Sequence, residues 1–263
     1  MGNGSTRSIA LANEKGGVGK TATVINLAAA LTREKKRVLV VDMDPQANAT
    51  KGLGIELADE LESVYDLIMP GRQTDINSVL LNTAWEGLDL IPSHPDLSGA
   101  EVELVDEEGR ESRLFDALYD LTTSNFYDFI LVDTPPSLSL LTVNVFTYVR
   151  EVLVPCQTHP YAFGALEELF DTIEAIQEEI NPNLKIIGIL PTLHDQRTRI
   201  SALILDQLKN DERYRDLVFN TAIRLNTMIT ESAYVGKPVV FYRQRSNGAL
   251  DYKKLANELL ARS

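Results

Sequence analysis

Five short runs in this chain are apolar at consecutive rather than alternate positions. They are Arg7–Asn13 (RSIALAN), Arg37–Asp42 (RVLVVD), Tyr127–Asp133 (YDFILVD), Arg150–Cys156 (REVLVPC) and Leu184–Leu190 (LKIIGIL). A strand that is apolar on both faces must be covered on both, as in a parallel sheet between two helical layers. Helix-period segments lie between the runs. Thr21–Lys35 carries Val24, Leu27, Ala28 and Leu31 on one face, and further helical patterns span Ser112–Leu121, Ser139–Tyr148, Gly164–Ile180, Ser201–Leu208 and Leu250–Ala261. The alternation predicts an α/β fold, a doubly wound and mostly parallel sheet with helices on both faces. It reads as a single domain over residues 1–263.

In such sheets ligands sit at the carboxyl ends of the strands. The segments to inspect are therefore Glu14–Thr21, Asp42–Asn48, Asp133–Ser137, Gln157–Tyr161 and Pro191–Arg199. The first belongs to NEKGGVGKTATV. Backbone N–H groups of Gly16, Gly17, Val18 and Gly19 can close around phosphate oxygens, and the following helix adds its positive N-terminal end. Lys20 is placed to reach the β- and γ-phosphates, and the Thr21 hydroxyl to bind Mg²⁺ directly. A glycine-rich turn can be no more than a turn, but this one joins a strand to a helix and ends in Lys-Thr. It departs from the G-x-x-x-x-G-K-[ST] pattern in one respect. Glu14 holds the place of the first glycine, and a second lysine, Lys15, follows it.

Asp42 and Asp44 lie two residues apart at the end of the second strand, with Pro45 to break it. A carboxylate there can orient a water for phosphoryl hydrolysis, and a helix-capping role would suit either one alone. Asp133 ends a buried strand, where a carboxylate can hold the hydration shell of a magnesium ion. Thr192, in the last of the five segments, joins the candidate nucleotide contacts. ATP and Mg²⁺ are the expected ligands.

The composition narrows the class. Hydrophobic residues make up 44% of 263, as in a globular chain, and no apolar run approaches the roughly 18 residues of a membrane span. Met1–Arg7 is short and polar, without the apolar core of a signal peptide. One cysteine, Cys156, excludes a disulfide framework and reads as a buried thiol. His94, His159 and His194 have no metal-pair spacing. The cytoplasm is the expected compartment. Net charge is −13, yet unevenly spread: −18 over residues 1–195 and +5 over residues 196–263. The last quarter can therefore present a basic surface, although ordinary scatter of surface charge explains the asymmetry equally well. The acidic stretch Glu101–Ser112 reads as a solvated surface segment.

The loop KGGVGKT, followed by VDMDPQANAT and FILVDTPPS, resembles the ParA/MinD family of deviant Walker A ATPases, and most closely its ParA/Soj-type partition branch. The resemblance spans nearly the whole chain, through YAFGALEEL (Tyr161–Leu169), DQRTRIS (Asp195–Ser201), GKPVV (Gly236–Val240) and SNGALDYKKLANEL (Ser246–Leu259). It implies a P-loop NTPase fold and slow, partner-stimulated ATP hydrolysis. It also implies a homodimer in the ATP-bound state in which Lys15 reaches the nucleotide of the partner subunit. Such a lysine offsets the repulsion between two facing ATP molecules and makes dimerisation depend on nucleotide. Asp44 would orient the hydrolytic water, Asp42 would support the magnesium shell through water, and Arg224 would lie beside the adenine. The implied partners are non-specific duplex DNA and a ParB-like protein or cargo adaptor, with the chain on the nucleoid. Candidate DNA contacts are Arg197, Arg199, Arg243 and Arg245, with Lys253 and Lys254 behind them.

Two positions depart from the family pattern. Ala22 replaces a threonine whose hydroxyl touches the α-phosphate, a loss of about 0.5–1.5 kcal/mol. Met228 stands where relatives carry an arginine implicated in DNA binding. Alternatives share the loop. Protein cargo, a carboxysome or chemosensory cluster, is compatible with every motif. A MinD-like membrane helix is disfavoured because DYKKLANELLARS offers only the narrow stripe Leu255, Leu259 and Leu260. An iron-protein relative would need cluster cysteines, and an ATP-dependent synthetase would need a carboxylate-substrate pocket.

Overall fold

The computed structural model describes residues 5–72 and 74–262. Residues 1–4, the start of the polar N-terminal stretch, lie outside the described residues. In chain order the first half comprises β1 (Arg7–Leu11), α1 (Lys20–Arg33), β2 (Val38–Asp42), α2 (Asn48–Gly52), α3 (Val64–Ile68), α4 (Ile76–Val79), β3 (Leu81–Asn82), β4 (Leu88–Ile91), α5 (Leu97–Glu103) and α6 (Arg113–Thr123). The second half comprises β5 (Phe129–Asp133), α7 (Leu140–Tyr148), β6 (Glu151–Gln157), α8 (Ala162–Glu179), β7 (Lys185–Thr192), α9 (Arg199–Asn210), α10 (Thr227–Tyr234), α11 (Val239–Tyr242) and α12 (Asn247–Ala261). The strands form one sheet in the order β3-β4-β2-β5-β1-β6-β7. Its pairings are parallel except the edge pair β3–β4.

The unbroken apolar runs have a direct physical reason. Along β1, Ile9 and Leu11 pack in the layer of α1 and α12 with Val24, Leu27, Leu31, Leu255 and Leu259. The intervening Ala10 faces the other layer, with Val145 of α7 and Leu166 and Leu169 of α8. β2 repeats the division: Val38 and Val40 join the first layer, Leu39 and Val41 the second. Each Val, Leu or Ile so buried contributes roughly 1.5–3 kcal/mol. α12 spends Leu255 and Leu259 in this core, as a packing helix does. Among the described residues no helix is long and apolar enough to cross a membrane.

The five expected strands are β1, β2, β5, β6 and β7, and the six expected helices are α1, α6, α7, α8, α9 and α12, with ends shifted by at most three residues. The sequence pattern did not disclose β3, β4 or the helices of four to eight residues. Such elements complete too few turns to show a period. The acidic stretch is mostly surface, but it begins within α5, and Leu104 inside it is fully buried.

A candidate nucleotide site at the strand ends

β1 lies between β5 and β6, so its carboxyl end opens at the middle of the sheet. The chain leaves it through the glycine-rich loop. Gly17 and Gly19 have φ of 75° and 91°, left-handed conformations that a side chain rarely tolerates. The loop is pinned from several strands. Thr134 Oγ1 donates to Leu11 O at 2.9 Å, Asn13 Nδ2 to Pro155 O at 2.9 Å, and Thr192 Oγ1 to Val18 O at 2.7 Å. Thr192 thus reaches the site by holding the loop. Asn13 Oδ1 also accepts from the Lys15 N–H at 2.9 Å. Among the described residues no side chain caps the first turn of α1, which leaves its N–H groups directed at the loop. That geometry suits an anion.

Lys20 opens α1 and is buried, its ammonium donating to Asn13 O at 2.8 Å. Burial lowers its pKa, and the nearby charges of Asp133 and Asp44 partly restore it. β2 and β5 are in register with Asp42 beside Asp133, so two carboxylates end adjacent strands. They differ in surroundings. Asp42 Oδ2 accepts from the Thr50 hydroxyl at 2.7 Å and the Thr50 N–H at 2.8 Å, and Oδ1 from the Asp44 N–H at 3.2 Å. Burial nevertheless raises its pKa to about 6. Among the described residues, none donates a hydrogen bond of ordinary geometry to either Asp133 oxygen. Burial and the Asp42 charge raise its pKa well above the carboxylate range, and the Thr21 hydroxyl and Lys20 ammonium offset part of that rise.

Two buried oxygens without donors, beside a hydroxyl, fit the outer shell of a hydrated divalent cation. Among the described residues no three His, Cys, Asp or Glu side chains converge as metal ligands, so most of the shell would come from phosphate and water. Asp44 stands just beyond the strand, 7% exposed, its Oδ1 accepting from the Gln46 N–H at 2.9 Å. The break at Pro45 lets it share the site with Asp42.

The remaining candidates fall in three places. Lys15 is half-buried at the rim, its Nζ 6.0 Å from the ring centre of Tyr161. The carbonyl of the half-buried Ala22 accepts from Asn26 Nδ2 at 2.7 Å. Arg224 pairs with His194 just beyond β7 and is bound to Asp251 by two bonds of 2.9 and 2.7 Å. Beside it a hollow of about 370 Å³ is lined by His194, Asp195, Leu225, Asn226 and Asn247. It sits just beyond the end of β7, the strand that carries Thr192.

The basic candidates are unequal. Arg197 is fixed to Asp195 by two bonds of 2.9 Å, which hold that carboxyl at about 2. Arg199, Lys253 and Lys254 are exposed, and Arg243 lies 4.8 Å from the Tyr242 ring centre. Arg245 and Lys253 border a hollow of about 180 Å³ together with Arg33, and among the described residues no carboxylate lines it. Arg33 lies outside the basic last quarter and was invisible to a charge count along the chain. Its signal was its position in the last turn of α1. Asn13 and Thr50 were also missed, since single polar residues near a motif carry no spacing of their own. Cys156 is buried and free, as expected, with its thiol pushed up to about 12 by burial. His194 is buried against Thr158 Oγ1 at 3.3 Å, and burial lowers its pKa.

A parallel sheet whose first strand feeds a glycine-rich loop, with Lys20 and Thr21 opening the next helix, is the architecture of a P-loop NTPase. A family profile described as an AAA domain matches residues 6–186. The chain is 43% identical over 253 residues to the sporulation initiation inhibitor protein Soj of Bacillus subtilis, covering 96% of this chain and 98% of the relative. It is 41% identical to the chromosome partitioning protein ParA of Myxococcus xanthus, covering 97% and 88%. The chain belongs to the ParA/Soj family. Among solved structures it is similar to cobyrinic acid a,c-diamide synthase of Mycobacterium smegmatis with bound ADP and magnesium, at TM-score 0.81 and 37% identity, covering 97% and 94%. A variant of Cyanothece McdA in complex with ATP shares the fold at TM-score 0.84 and 20% identity, covering 98% of each chain.

Proposed function

We propose that this chain is an ATP-dependent dimer switch that binds duplex DNA without sequence preference and positions a cargo with a ParB-like partner. The observation that carries the reading is the loop itself, with left-handed Gly17 and Gly19, the buried Lys20 ammonium and the undonated Asp133 oxygens at one strand-end crevice. Gly16 to Ala22 would hold ATP phosphates through backbone N–H groups. Thr21 would bind Mg²⁺ directly, Asp133 through water, and Asp42 more remotely, because its oxygens already serve Thr50 and Asp44. When bound, the magnesium ion neutralises charge on the β- and γ-phosphates. Asp44 would orient a water so that its oxygen bonds to the γ-phosphorus while the bond to the β-phosphate oxygen breaks. The products are ADP, phosphate and a proton.

Lys15 would serve the partner subunit, and its place at the rim, with no ion pair among the described residues, leaves it able to. The hollow beside Arg224 would take the base. The name of one relative, the chromosome partitioning protein ParA, supports DNA as cargo, and a switch that rides on DNA would sit on the nucleoid in the cytoplasm. A protein cargo would use the same switch. The synthase likeness favours a second reading, in which ATP activates a carboxylate substrate.

Electrophoretic shift of duplex DNA with ATP, ADP and no nucleotide tests the proposal. Retardation with ATP alone is expected, falling with salt at a log–log slope of about −0.9 per phosphate neutralised. Arg245→Ala/Lys253→Ala should weaken binding evenly across sequences and flatten that slope. Arg197→Ala should do less, since its guanidinium already serves Asp195. Equal, salt-insensitive or absent retardation in all three states removes DNA from the account.

A further inference from the structure

Asp44 lies on an irregular stretch: β2 ends at Asp42, and α2 begins only at Asn48. Within it Ala47 has φ 52°, a left-handed conformation that alanine rarely adopts. Such a turn persists where its surroundings over-determine it. Those surroundings converge on Thr50. Its hydroxyl and its backbone N–H both donate to Asp42 Oδ2, at 2.7 and 2.8 Å, and the hydroxyl accepts from the Ser93 N–H at 3.0 Å. The other Asp42 oxygen takes the Asp44 N–H. The stretch is thus closed into a ring, Asp42 to Asp44 along the chain, on to Thr50, and back through its hydroxyl to Asp42. Asp42, Thr50 and Ser93 are all 0% exposed. Ser93 ties the ring to the exit of β4. α2 is wedged on the other side against α1, where a Cβ on Gly52 would stand 2.3 Å from Ile25 Cδ1.

We infer that Thr50 is a positioning residue for ATP hydrolysis: it fixes the Asp42–Asp44 backbone and so holds the Asp44 carboxylate in the site beside Lys20. The inference rests on the reading of Asp44 as the water-orienting group. One hydroxyl acts at once as donor to Asp42 and acceptor from Ser93. Serine can do the same, whereas valine keeps the shape of threonine and does neither.

Single-turnover hydrolysis and ATP affinity of the full chain separate the possibilities. Thr50→Val should lower the single-turnover rate by about 10–100-fold, the scale of a small misplacement in a reacting group, and leave ATP affinity within about threefold. Thr50→Ser should stay within about threefold of the parent rate. A packing role gives the reverse order, with valine tolerated and serine impaired. Thr50→Val/Asp44→Asn should be no slower than Asp44→Asn alone, because both act on one group. A parental rate for Thr50→Val, a Thr50→Ser rate as low as that of valine, or losses that multiply in the double variant would overturn the inference. A parental rate for Asp44→Asn alone is a different failure, that of the Asp44 reading beneath it.

Discussion

Lys20→Ala is expected to weaken ATP binding by about 100-fold or more. A charge-assisted hydrogen bond contributes about 1.5–3 kcal/mol, and this ammonium serves more than one partner. It donates to Asn13 O and approaches Lys15 O at 3.4 Å, bracing the loop, and it is the cation that Asp133 and Asp44 face. Its removal takes away the ammonium beside Asp133 and Asp44, and with it the attraction for a nucleotide carrying about four negative charges. Equilibrium titration with ATP and Mg²⁺ measures the effect. Parental affinity would remove the phosphate-loop assignment.

Asp44→Asn is expected to bind ATP and form the dimer as the parent does, while single-turnover hydrolysis falls about 100–1,000-fold, within the range for loss of a positioned acid–base group. Asparagine retains an oxygen that can accept from the Gln46 N–H, so the turn after β2 is kept while the charge is lost. The defect should therefore lie in turnover and not in the ground state. An unchanged rate would move the water-orienting role to another carboxylate, with Asp42 first in line.

The layered fold was legible because its evidence is repetitive: Ile9, Leu11, Val38 and Val40 supply one face while Ala10, Leu39 and Val41 supply the other. The loop was legible because spacing, residue type and place between strand and helix agreed. What escaped depended on contacts between distant positions. The Arg224–Asp251 pair spans 27 residues, and the Ser93–Thr50 bond spans 43. Arg33 meets Lys253 of α12 and Arg245 of the turn before it only because α1 and α12 pack on the same face of the sheet. The difference between Asp42 and Asp133 also needed coordinates. Both end buried strands, but among the described residues only the first accepts hydrogen bonds of ordinary geometry, so the sequence presents two similar aspartates with unlike chemistry.

The second lysine of the loop, Lys15, would make association depend on ATP. Sedimentation velocity of the parent and of Lys15→Ala, each with Mg²⁺ and either ADP or a non-hydrolysable ATP analogue, tests it most directly. The parent should sediment as a monomer with ADP and as a dimer with the analogue. Lys15→Ala should remain monomeric in both while still binding nucleotide, because the proposed role of its ammonium is on the facing subunit. A parent that ignores the nucleotide, or a Lys15→Ala variant that dimerises as well as the parent, would contradict the account.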